Sequence, residues 1–454
     1  MFDQTTFRLF FCFDLRCLLV AFSVSFLGLG LSAAASEQSD AWQTYIETHA
    51  VALLDDQAVD TVVAKMEGRR LILLGETTHG TQEYYTWRAD ITQRLIERGL
   101  ISFIAVEGDW ATLYEVNRYV KGMDGAGSSA DSVLAGLNRW PEWMWANPVI
   151  RDLAEWMREW NADRPMEERV GFYGIDVYGW GDSVVALPEF LDQLEEGWGA
   201  SVEDELSGLR SLGGDSQRFV RAVMSNQNLG HATIQSILER LSEGEASYRA
   251  ADPEAYLQAL QSAQLISQAK AHLRQSAERN PRSWNPRAEN FYATVENLFA
   301  HYGSDSAGVL WAHNTHVGDA QFTPMREQGL ITVGQQAREA LGEENTFILG
   351  FASFTGSLRA GQRWGSEGVV MNLPDAPSDT LDGWLEAAAP GVALLPLAAA
   401  REDDVLMMPA GHRAIGVVHH PQTPVARNFV PSVVPMRYDA LLFIRETSAL
   451  DALP

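Results

Sequence analysis

LILLGETTHG, Leu71–Gly80, decides the fold. Four apolar residues run into a glycine, then a glutamate, and three positions later a histidine. A short apolar run closed by Gly reads as a buried strand with Glu76 and His79 at its carboxyl end. In open α/β sheets ligands sit beyond that end of the strands. The run Ile101–Val106 delivers a second carboxylate, Glu107 in FIAVEGDW, and Gly308–Ala312 ends in a histidine pair, His313 and His316 in VLWAHNTHVGD. Three strands that each place Glu or His at the same end form a constellation.

Working outward, Thr81–Arg98 reads as a helix, with Tyr84, Trp87, Ile91, Leu95 and Arg98 at spacings of three and four and Gly99 ending it. Ala111–Val120 is a further helix, as are Trp42–Val51 and Ala58–Glu67. Val170–Ile175 is a third strand, finishing in Asp176. The alternation argues for a three-layer α/β/α fold with a mostly parallel sheet. From Ser183 the texture changes to polar helical periodicity, clearest at His231–Glu243 and Pro253–Arg279. The expected organisation is a leader at 1–35, α/β core at 36–182, an inserted helical subdomain or lid at 183–305, and α/β core again at 306–454. Late strands are expected at Thr346–Ala352, Ala414–His419 and Ala440–Ile444, with a short helix at Leu381–Ala388.

The leader is read from Arg8 and Arg16, the apolar run Cys17–Leu31 and the small residues Ser32–Ser36. That is the layout of a secretory signal, so the protein is expected to be exported, periplasmic or secreted, with no stable membrane insertion after cleavage. Cys12 and Cys17 both lie in it, which leaves no thiol nucleophile and no disulfide framework downstream. A net charge of −26 disfavours nucleic acid as a partner. With three lysines, Schiff-base chemistry is poorly supplied.

Gly-x-Ser-x-Gly, His-Glu-x-x-His, a Walker loop and Gly-x-Gly-x-x-Gly are all missing. What remains is a Glu/His set, which can hold a metal or activate water directly. His79 is the candidate base, with Glu76 on the same turn and Glu107 on an adjacent strand to orient the ring. His313 and His316 read equally as metal ligands or as satisfied turn histidines. Asp109 reads as the cap of the helix that follows, and Arg88, taken alone, as a surface arginine. Of the tryptophans between Trp140 and Trp160, Trp156 and Trp160 read as core, and the loop members Trp143 and Trp145 as core or pocket lining.

Seven blocks together resemble the erythromycin esterase family: GETTHG with Arg88, IAVEGDW with Asn117 and Tyr119, the Trp-rich stretch ending EWMREWN, VGFYGIDVYG, NPRAEN with Arg287, VLWAHNTHVGD and YDALLFIRE. The resemblance runs from Leu71 to Glu446. It implies an α/β/α sandwich with a helical insertion, and a metal-independent, cofactor-free hydrolase that opens the lactone of macrolide antibiotics. It implies His79 as the base, Glu76, Arg88 and Glu107 as further active-site residues, and a catalytic histidine at His313 or His316. Trp110, Trp143, Trp145 and Asn314 are then expected to face a large apolar ester or lactone. The alternatives are a metal-dependent hydrolase on Glu76, His79, Glu107 and His313, or an exported module that binds haem or an apolar ligand.

Overall fold

Leu71–Leu74 is a strand with every residue buried, as a continuous apolar run without alternation requires. The computed structural model describes residues 30–225 and 229–453, and the expected leader falls almost wholly outside them. In chain order the strands are β1 Val51–Ala52, β2 Leu71–Leu74, β3 Phe103–Asp109, β4 Gly171–Asp176, β5 Gly308–Trp311, β6 Thr346–Gly361, β7 Gly368–Leu373, β8 Val392–Pro396, β9 Ala410–Arg413, β10 Phe429–Ser432 and β11 Ala440–Thr447. The chain is mixed α/β with a mostly parallel sheet and many helices.

It forms two compact units. The first comprises Met1–Leu100, Leu137–Leu153 and Val309–Pro454. Here β6 is flanked by β2 and β11, both parallel to it, while β8 pairs antiparallel with β11 and β7 with β6. The second unit comprises Ile101–Gly136 and Ala154–Gly308, and holds the parallel pair β3 and β4. Residues 183–305 belong to it and carry helices with no strand among the described residues. The longest, Pro253–Ala277, starts where it does because Asp252 accepts from the Glu254 and Ala255 amides and Pro253 fixes the first turn. Among the described residues no helix is long and apolar enough to cross a membrane.

Four local expectations are corrected. Ala414–His419 is not a strand; its β-pairing is limited to isolated bridges from Ile415 to Thr78 and from Val418 to Gly361. The helix expected at Ala58–Glu67 ends at Val63. Trp156 and Trp160 stack at 5.4 Å but are only half-buried. Arg88 is not on the surface: the buried face of helix Gln82–Glu97 runs through Tyr84, Tyr85, Arg88, Ile91 and Leu95, and leaves Trp87 half-buried.

Candidate functional site

In the first unit, β2 ends at Gly75, and the following turn is locked to the end of β5. The Ala312 amide donates to the Leu74 carbonyl at 3.2 Å and the Asn314 amide to the Glu76 carbonyl at 2.8 Å. Gly75 is obligatory, since a Cβ there would lie 2.0 Å from the Asn314 side-chain oxygen. Asn314 itself is spent on the backbone of Phe351, donating to its carbonyl at 2.8 Å and accepting from its amide at 3.3 Å. It is a pin between segments, where sequence reasoning expected a substrate contact.

This lock brings four of the expected residues together. His79 Nδ1 lies 2.8 Å from Glu76 Oε1, and Arg88 Nη2 lies 2.9 Å from Glu76 Oε2. The ring of His313 stands 5.0 Å from that of His79, tilted by 45°. All four side chains are buried. His316 is also buried, at the last turn of the short helix Asn314–Val317, and His313 is the histidine whose ring meets His79.

Partners fix the proton on each imidazole. Glu76, as a carboxylate, only accepts, so His79 Nδ1 carries the hydrogen and the neutral ring keeps its lone pair on Nε2. His313 Nδ1 accepts from the Thr315 backbone amide at 3.2 Å, and the Thr315 hydroxyl lies 2.8 Å from the same nitrogen. A backbone N–H can only donate, so neutral His313 carries its hydrogen on Nε2. Neighbouring rings therefore present opposite functions at Nε2, an acceptor on His79 and a donor on His313.

Arg88 stands behind Glu76. Its guanidinium is sandwiched between Tyr85, at 4.4 Å, and Trp311, at 5.0 Å. Its Nε and Nη1 have no hydrogen-bond partner among the described residues, and its approach to Glu76 is a charge contact without hydrogen-bond alignment. The two aromatic faces take the place of missing acceptors, each worth about 2 kcal/mol when desolvated. Arg88 thus holds one carboxylate oxygen while the other holds His79.

Glu107 lies in the second unit, where the ladder of β3 and β4 shifts register. Val106 faces Gly174 and Asp109 faces Asp176, so β3 carries one extra residue around Glu107 and Gly108. Such a bulge re-aims a side chain. Gly174 admits it, because a Cβ there would meet the Asp109 and Gly108 carbonyls within 2.5 Å. Glu107 Oε1 takes a hydrogen bond from Arg287 Nη2 at 2.7 Å, and Arg287 also grips Asp176 through Nε at 2.9 Å and Nη2 at 2.7 Å. Burial works against the Arg287 charge, but Asp176 and Glu107 more than offset it and hold the guanidinium firmly protonated. Sequence reasoning gave Arg287 no role, although NPRAEN was one of the seven blocks.

The expected substrate-facing tryptophans are interior. Trp110 stacks on Tyr173 at 5.5 Å, Trp145 meets Tyr85 edge-on at 6.1 Å, and Trp143 packs on β7, where a Cβ at Gly368 would come within 2.4 Å of its Nε1. Among the described residues no group of three or more His, Cys, Asp or Glu side chains is arranged to hold a metal ion.

Among known proteins, the erythromycin esterase family model matches residues 96–447. Glu76, His79 and Arg88 precede that segment. A Bacillus cereus protein of solved structure superposes with a TM-score of 0.76 at 18% identity, covering 92% of this chain and 99% of its own. A structure titled succinoglycan biosynthesis protein gives 0.73 at 17% identity, covering 91% and 98%. A mutant of the erythromycin esterase EreC in its open conformation gives 0.61 at 14% identity, covering 87% and 95%. At these identities the three structures bear on the fold alone, whereas the family model spans most of the sequence and includes Glu107, Arg287 and both histidines of HNTH. On that match, the chain belongs to the erythromycin esterase family.

Proposed function

We propose that this protein hydrolyses a carboxylic ester or macrolactone by direct attack of water, with His79 as general base. Family membership supports a hydrolase acting on esters. The single observation that carries the finer reading is the pair of opposed imidazoles at 5.0 Å, one oriented by a carboxylate and the other by a backbone amide.

In this reading His79 Nε2 removes a proton from water as the water oxygen bonds to the carbonyl carbon. The C=O electron pair moves onto oxygen, where His313 Nε2–H donates to it. Collapse of the intermediate breaks the bond to the leaving oxygen, which takes the proton back from the His79 imidazolium. The products are a carboxylic acid and an alcohol, joined in one chain if the substrate was a lactone. Glu76 stabilises the imidazolium, Arg88 steadies Glu76, and Glu107 is required in its ionised form. No step calls on a metal or cofactor. The substrate class is a large apolar ester or lactone such as a macrolide, and the leader points to an exported enzyme.

The test is mass spectrometry of a macrolide panel incubated with the wild type and with His79→Ala, before and after chelation. Gain of one water in the wild-type reactions alone, unchanged by chelator, is the expected result. Turnover by His79→Ala would refute the assignment of the base, and loss of activity on chelation would refute metal independence. N-terminal sequencing of the protein recovered from cell fractions tests export, with a start near residue 36 outside the cytoplasm expected.

A further inference from the structure

The second unit holds a polar cluster that the mechanism above does not use in full. At the ends of β3 and β4 stand three acids: Glu107 on the bulge, Asp109 and Asp176, the latter two facing one another in the ladder. The cation among them is Arg287, on the fourth residue of helix Trp284–Tyr302. A cation in the first turn opposes the helix dipole, so its position is unfavourable unless carboxylates compensate. They do so through three hydrogen bonds of 2.7–2.9 Å.

The guanidinium is also held by its faces. Tyr178 lies 5.3 Å away and Phe291 5.0 Å. Tyr178 is fixed in turn, since its hydroxyl lies 3.2 Å from His272 Nε2, while His272 Nδ1 lies 2.7 Å from the Ser283 carbonyl. That carbonyl only accepts, so Nδ1 carries the hydrogen and Nε2 accepts from the tyrosine. A chain of contacts thus runs from His272 on helix Pro253–Ala277 through Tyr178 and Arg287 to Glu107. Asp176 is further occupied by the Val177 amide at 2.7 Å.

We infer that Arg287 is the positioning residue for Glu107: it orients that carboxylate on its bulge and keeps it ionised, with Asp176 and Tyr178 aligning the guanidinium. The inference rests on the proposed requirement for Glu107 and goes beyond it, by giving Arg287 the task of holding that carboxylate. A merely structural ion pair would couple the two residues in stability, but it would not make the kcat loss deepen as pH falls.

The test is a double-mutant cycle on kcat for the best substrate of the panel. Arg287→Gln is expected to lower kcat roughly 10- to 100-fold, the range for residues that orient an active group. The loss should deepen as pH falls, since a carboxylate deprived of its cation protonates more readily. Arg287→Lys should recover part of the activity, as it keeps the charge and loses the two-pronged grip. In a Glu107→Gln background, Arg287→Gln should cost nothing further. Full additivity of the two substitutions would overturn the inference. If Glu107→Gln alone leaves kcat at the wild-type value, the proposed requirement for Glu107 has failed instead. Should Arg287→Gln not fold, judged by circular dichroism, Arg287→Lys takes its place in the same cycle and its additivity decides the matter.

Discussion

Each unit sets carboxylate, arginine and histidine side chains close together, yet the clusters differ in kind. In the first, Glu76 is shared between Arg88 and His79, so a carboxylate orients an imidazole. In the second, Arg287 bonds both Glu107 and Asp176, and the nearby histidine is held neutral. Burial pushes His272 down to about 4, and both of its ring nitrogens have protein partners. Similar residue types thus make a proton-transfer site in one place and a rigid support in the other. The difference lies in whether the carboxylate reaches a histidine as well as the arginine.

The largest expected effect tests the first cluster. His79→Ala should lower kcat/KM by about 10²–10⁴-fold, the range for loss of a general base, measured by initial rates at pH 7.5. Glu76→Gln should follow at about 10²-fold or more, because an amide can donate to Nδ1 and turn the ring to the wrong tautomer. If Glu76→Gln were harmless, the two clusters would not differ in the way described.

Arg88→Met removes a buried charge partner and leaves the Glu76 carboxylate without its cation. The expected cost is about 3–5 kcal/mol in urea unfolding, with a further loss of kcat in the surviving folded protein. A stable, fully active Arg88→Met would break the argument that Arg88 holds Glu76.

The smallest effect concerns the silenced histidine. Burial pushes His272 down to about 4 in the folded chain, against near 6.5 unfolded, so at pH 7 it is mostly neutral in both states. As pH falls from about 6.5 towards 4 the unfolded chain takes up the proton first, and stability is lost through that window, by at most about 3 kcal/mol from this group. His272→Gln should flatten that slope in urea titrations between pH 7 and pH 4. An unchanged slope would mean that His272 is not held neutral.

Much of this arrangement could be read from the sequence where periodicity and punctuation were strong. Leu71–Leu74 and helices His231–Glu243 and Leu381–Ala388 occur with the expected ends. The carboxyl ends of β2 and β5 do carry Glu76, His79 and His313 into one cluster. What could not be read followed from contacts distant in the chain. Arg88 occupies the same helical stripe as Tyr84 and Ile91, and the spacing signalled burial, but its charge argued for the surface. Only the aromatic faces of Tyr85 and Trp311 and the carboxylate of Glu76 resolve that conflict. The bulge at Glu107 left one trace, Gly174, whose need is visible only once the carbonyls of Gly108 and Asp109 are seen against it. Ala414–His419 has the composition of a strand but pairs only through isolated bridges. Arg287 stood in a recognised block without a role, because its partners are over 100 residues away along the chain.

The central claim is that two neighbouring imidazoles hold their protons on opposite nitrogens. Nitrogen-15 NMR of histidine-labelled protein near pH 8 measures this directly, with signals assigned by loss in His79→Gln and His313→Gln. The account requires the hydrogen of His79 on Nδ1 and that of His313 on Nε2. Finding His79 protonated on Nε2, or both rings in the same tautomer, would contradict it.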